Sequence, residues 1–342
     1  MPSSPPTRRT QNAEPDRKSL PLVRAASYAW SRAHGRGAVE TDPALTPARF
    51  TRMSRSQFGT PPPVNRTRTF EVSVSARMPR RARVRVHTSG RRPSEHVFRV
   101  LRATIDVLAR VYGPYPRADQ LEVLLHDDPT PKRFPGRGER LAPHHINSGF
   151  SVGARIVVLR RAEMHRTLVH ELVHVWATHG MDFPVVQKQA CRELGAPPGC
   201  LLTESFVECV TWLVHGGFCK RGLDPDHALA VARAYSDRVT GDDGTTNGWA
   251  YFVGKALLVA DGACKFHAAF FRTSGASGPT PPSVPVRRRL VTSRDHSCLL
   301  GLMREARRGL GGIHVPNRTS ARIARSPRMC ACSLGEPFER EA

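Results

Sequence analysis

Phe70, Val72 and Val74 alternate with polar residues, and Val84 and Val86 do so again after a basic stretch through Arg77–Arg83. A period of two places apolar side chains on one face of a strand, so a β-hairpin is predicted here. The period then lengthens. Val97, Leu101, Ile105, Leu108 and Tyr112 recur at helical spacing after Pro93-Ser94, and Gly113-Pro114 ends the run. Leu121-Glu122-Val123-Leu124-Leu125 reads as a buried strand that stops at Asp127-Asp128-Pro129. Two more strand-like runs, Ile146–Phe150 and Arg155–Leu159, flank a turn at Val152-Gly153-Ala154. Helices are predicted over 162–178, closed by His179-Gly180, and over 202–215, 225–239 and 249–260. Strands with one helix, then a helix-rich half, make an α+β layout.

Composition changes this picture at both ends. The 342 residues include 29 prolines, 27 glycines and a net charge of +23, with 39 % apolar residues. Residues 1–90 carry 17 Lys/Arg against 5 Asp/Glu, and residues 273–342 carry 12 against 5, so the middle is near neutral. A disordered basic arm is therefore expected over 1–67, a folded domain over 68–272, and a low-order basic tail over 273–342. Such arms attract nucleic acid non-specifically through counterion release. A bias toward arginine that serves only solubility explains the same composition, and both readings stay open. No run approaches the ~18–20 apolar residues that cross a bilayer, and the N-terminus lacks a signal-peptide core. An intracellular protein with no membrane partner is expected. All eight cysteines follow residue 190, and without a secretory signal they read as free thiols. Nothing in the sequence speaks to oligomeric state.

The chemistry lies in His170-Glu171-Leu172-Val173-His174. Histidines four apart on a helix project from one face, one turn apart, and both imidazoles can reach one Zn²⁺ at ~2.0–2.1 Å. Leu168, Val169, Leu172, Val173 and Trp176 supply that helix with buried surface. Zinc lowers the pKa of a water it holds toward ~7, and Glu171 takes the proton as the water attacks a carbonyl carbon. Peptide or protein is the expected substrate, held along a sheet edge beside the metal. The pattern arises by chance in roughly 3 % of chains of this composition, and its helical context favours the metal reading over two surface histidines.

A catalytic site needs a third protein ligand. His179 points about 140° round the helix from His174. Glu204 is preferred, because Thr203–Glu208 opens a helix after the Pro/Gly loop at Ala196–Gly199. Glu193, Glu208 and Asp182 remain alternatives. Glu208, one turn beyond Glu204, is placed to accept a hydrogen bond from a ligand histidine. Tyr251 is the foremost candidate for stabilising the developing oxyanion, with Tyr235, His215 and His227 behind it.

The motif followed by a helix bearing Glu204 resembles the gluzincin class of zinc peptidases. That resemblance implies a zincin-like domain with a small mixed sheet, an active-site helix and a helical C-terminal half. A narrower run from Ile146 to about Trp212 looks like metallopeptidase-like proteins of large DNA viruses, which would place the chain in a host cell or virion. His179-Gly180-Met181-Asp182-Phe183 is similar to the third-ligand segment of SprT-type proteases, which act on DNA-bound proteins, although here it follows the motif closely. An inactive zincin-like module that binds nucleic acid through its arms is the competing class.

Overall fold

A computed structural model describes residues 21–33, 39–41, 64, 66–73, 81–89, 94–112, 121–129, 142–177, 184–218, 228–232, 247–260, 265–266, 270 and 298–305. The elements are α1 (Pro21–Arg32), β1 (Val39–Thr41), β2 (Arg66–Ser73), β3 (Arg81–Ser89), α2 (Glu95–Tyr112), β4 (Glu122–Asp128), β5 (Gly149–Val152), β6 (Arg155–Arg160), α3 (Met164–Ala177), α4 (Pro184–Leu194) and α5 (Leu202–Phe218). A π-helical turn, Ala250–Gly254, runs into α6 (Lys255–Ala260).

The expected hairpin forms as β2 and β3, antiparallel with Thr69 opposite Arg85. Helix α2 then carries the chain back to β4, which pairs parallel with β3, as a crossover connection requires. Among the described residues the order is β1-β2-β3-β4-β6-β5, a mixed six-stranded sheet with β5 as the outer strand at one end. Val84, Val86, Val123, Leu125, Ile156 and Val158 point from one face into the main core. There they meet the stripe of α2, whose Leu101, Ile105 and Leu108 are fully buried, and the apolar side of α3. The opposite face holds a smaller cluster of Leu124, Val157 and Leu159 under Val64 and Phe150. The α+β layout stands.

Several boundaries differ from the sequence reading. Ile146 is not a strand residue: it ends a helical turn at Pro143–Ile146, closed where His145 Nδ1 accepts the Ala142 N–H at 3.0 Å, and β5 starts only at Gly149. Helix α4 was not foreseen, because among its described side chains only Ala190 and Leu194 are buried and no apolar stripe announces it.

The expected arms also need correction. Helix α1 lies inside the 1–67 segment and buries Leu22, Val23, Ala25, Ala26 and Ala29 against α5 and α2. Its apolar face is mostly alanine, so the sequence shows little of it. Gly217 on α5 makes the close approach possible: a Cβ there would stand 2.5 Å from the Ala26 Cβ. Ser27 Oγ donates to the Gly217 carbonyl at 2.8 Å, and the Arg99 guanidinium lies 4.0 Å over the Trp30 ring. Within the expected tail, the helical stretch 298–305 buries Leu299, Leu300 and Met303 in the main core, and Arg304 pairs with Glu193. The remainder of both arms, and with it the expected nucleic-acid contacts, lies outside the described residues, as does most of the helix expected over 225–239. Among the described residues no helix is long and apolar enough to cross a membrane.

Where α1, α2, α3 and α5 meet, three histidines gather away from the motif. The His96 ring stands 4.9 Å from Trp30 and 5.0 Å from His165. Burial, then Arg99 and His215, lowers the His96 pKa to about 4; burial, then His96 and His215, lowers that of His165 to about 3. Both values fall below the unfolded value of ~6.5, so the unfolded chain takes up these protons first as pH drops. Stability from the neutral rings is present above pH ~6.5 and is lost on the way down to pH ~4. Urea midpoints are therefore expected to fall between pH 7 and 5, before the carboxylates titrate, and a midpoint that holds level over that interval would refute this account.

Candidate metal centre

Helix α3 is amphipathic in an unusual way. Leu168, Val169, Leu172 and Val173 are fully buried, yet His170, Glu171 and His174 leave the same helix toward α5 and β5. The i, i+4 spacing aligns the two imidazoles, whose ring centroids are 4.8 Å apart and whose Nε2 atoms are 3.1 Å apart. Glu204 arrives from the first turn of α5. Its Oε2 is 3.1 Å from His174 Nε2 and 3.3 Å from His170 Nε2. Among the described residues this trio alone brings three ligand atoms together closely enough for a metal ion.

The triangle can be tested against zinc. Donors ~2.0–2.1 Å from one ion at tetrahedral angles stand roughly 3.3–3.4 Å apart, and the three observed edges match this to within a few tenths of an ångström. Two imidazoles and a carboxylate are also a donor set that zinc accepts, with one position left open. The residues fit.

Electrostatics follow from the same contacts. Burial pulls the His170 pKa down, but Glu204 and Glu208 outweigh it and raise the value to about 10. Burial pushes Glu204 up, while His174 and His170 bring it down to about 2. Both carboxylates favour a proton on His170, and a cation bound there would displace it. Glu171 is pushed up, chiefly by burial, with the two histidines and a hydrogen bond from Ser151 acting against that. A raised carboxylate pKa suits a group that must take and return a proton near neutrality.

Strand β5 brings Ser151 to Glu171, and Gly149 permits it. A Cβ at Gly149 would stand 2.6 Å from Thr167 Cγ2 and 2.6 Å from the Val157 carbonyl oxygen, so only glycine lets the outer strand lie this close to α3. A cleft lined by Asn147, Ser148, Gly149, Arg166, Thr167, His170, Glu171 and Tyr251 opens between them. Tyr251 sits in the π-helical turn, its ring centroid 5.8 Å from that of His170. Burial first, and then Glu204, Glu171 and Glu208, raise its pKa, so the phenol keeps its proton. Asn247, at φ 55°, starts this segment and accepts the Leu201 N–H at 2.8 Å, tying it to the start of α5.

The structure therefore gathers His170, His174, Glu171, Glu204, Glu208 and Tyr251. It does not bring Glu193, which faces Arg304 on the surface, or His215, which belongs to the histidine cluster above. His179, Asp182, His227 and Tyr235 lie outside the described residues. Sequence reasoning overlooked Gly149, Ser151, Arg166 and Lys255. The last two had a signal: each is a cation set in an apolar helical run, four residues from a candidate site residue.

No protein-family model matches the sequence, and no curated protein matches it. Among solved structures the chain is similar to the M1 zinc metallopeptidase of Deinococcus radiodurans, at 16 % identity and a TM-score of 0.38 over 82 % of this chain and 62 % of that one. A variant of the M1 zinc metallopeptidase from the same organism, bound to a Tyr-Ser-Ala substrate, is similar at 16 % identity and a TM-score of 0.40 over the same shares. This chain thus spans about three-fifths of the length of the solved chains it resembles.

Proposed function

We propose that this chain is a zinc-dependent peptidase with a zincin-like fold, in which His170, His174 and Glu204 hold the ion. The observation that carries the reading is the donor triangle with Glu171 beside it on the same helix. Zinc at these residues would supply Lewis-acid chemistry, polarising a substrate carbonyl and acidifying water. Glu171 then takes a proton from the attacking water and returns it to the departing amine. Ser151 holds the Glu171 carboxylate in place. The Tyr251 hydroxyl donates to the oxyanion that develops on the carbonyl. Strand β5, at the end of the sheet, receives the substrate backbone as an added strand.

Metal analysis tests this directly. The purified chain is expected to carry close to one zinc ion and to cleave an unstructured protein, with a chelator abolishing cleavage and zinc restoring it. A well-folded preparation that takes up no zinc would end the proposal.

A further inference from the structure

Three helical segments meet at the site, and each contributes in two layers. His170 on α3, Glu204 on α5 and Tyr251 in the π-helical turn form the layer at the donor triangle. Four residues from each, at Arg166, Glu208 and Lys255, lies a charged residue in a second, lower layer, of which Arg166 also lines the cleft. All three lower side chains are buried, at 4 %, 0 % and 3 % exposure.

The lower layer is organised around Glu208. Its Oε2 pairs with Arg166 Nη2 and lies 3.4 Å from Lys255 Nζ. Its Oε1 lies 2.8 Å from His170 Nδ1, at ion-pair distance but without the alignment of a good hydrogen bond. A lone buried carboxylate is costly, and buried charges persist where partners compensate them. Here two cations share one oxygen and leave the other facing the histidine. Gly254 sets up the third arm: a Cβ there would stand 2.0 Å from Ser205 Oγ, so the bare backbone lets the π-helical turn press onto α5 and deliver Lys255.

We propose that Arg166 and Lys255 are positioning residues for the metal site, two buried cations that clamp Glu208 and through it set the ring of His170. This rests on the zinc reading above. With Glu208 held, His170 keeps Nδ1 toward that carboxylate and presents Nε2 to the ion. Without the clamp, Glu208 rotates and the ring loses its fixed orientation, a kind of loss that weakens metal sites by about tenfold or more. The alternative is purely coulombic. Two nearby cations repel a dication, so removing one would tighten zinc binding.

A double-mutant cycle on the full chain separates these. Zinc affinity is measured by competition with a chelator for the wild type, Arg166→Met, Glu208→Gln and the pair together, with circular dichroism to verify folding. Arg166→Met is expected to weaken zinc binding about tenfold, Arg166→Lys to recover most of it, and the loss to vanish in the Glu208→Gln background because the clamp has nothing left to hold. Equal losses in both backgrounds, unchanged affinity or tighter binding each overturn the proposal while leaving the metal site intact. A wild type that binds no zinc overturns both. Should Arg166→Met fail to fold, Lys255→Met passes through the same cycle with the same criteria.

Discussion

Glu171→Gln is expected to keep its zinc and lose hydrolysis, by about 10²- to 10⁴-fold in kcat. The exchange is nearly isosteric, and the amide oxygen can still accept the Ser151 hydrogen bond. Because Glu171 is buried at 5 % exposure, a neutral side chain is no harder to accommodate than a carboxylate, and melting should shift little. What the amide lacks is basicity. It cannot take the proton from attacking water, nor return one to the amine. Zinc content and kcat measured on one preparation give the answer. If hydrolysis survives with zinc in place, Glu171 is not the base.

Glu204→Ala is expected to reduce zinc affinity by more than roughly a hundredfold, since loss of a ligand exceeds the 10- to 100-fold typical of the groups that support one. Glu204 Oε2 lies within 3.3 Å of both imidazole Nε2 atoms, so its removal takes away one corner of the triangle and the anion that offsets the ion's charge. A ligand that binds only the folded state raises stability by RT ln(1 + [L]/Kd). The wild-type melting temperature should therefore climb with micromolar zinc, and that of the variant should not. Glu193→Ala, at an acidic candidate for third ligand that faces Arg304 instead, is expected to behave as wild type. A Glu204→Ala chain with a full zinc-induced rise would remove Glu204 from the site.

Much of the candidate site was legible in the sequence. His170, Glu171 and His174 could be placed together because a helix repeats every 3.6 residues, and the flanking apolar residues made the helix itself plain. The stripe of α2 and the alternation of β2 and β3 were readable for the same reason. Helix α1 was not, because its contact with α5 depends on small residues, Ala26 against Gly217, which signal nothing in a hydrophobicity pattern. Helix α4 and residues 298–305 were missed where short apolar stretches sat among Pro, Arg and polar residues.

Sequence by itself determined what is local: two imidazoles and a carboxylate on one helical turn, and the strand and helix periods around them. Only the tertiary structure decided what crosses between elements. Glu204 reaches His174, thirty positions back in the sequence, because α5 packs on α3. Ser151 reaches Glu171 because Gly149 has no side chain. Arg166, Glu208 and Lys255 form one buried cluster because three helical segments converge. Spacing along a chain sets direction within an element, whereas contact between elements depends on volumes and shapes that only packing reveals.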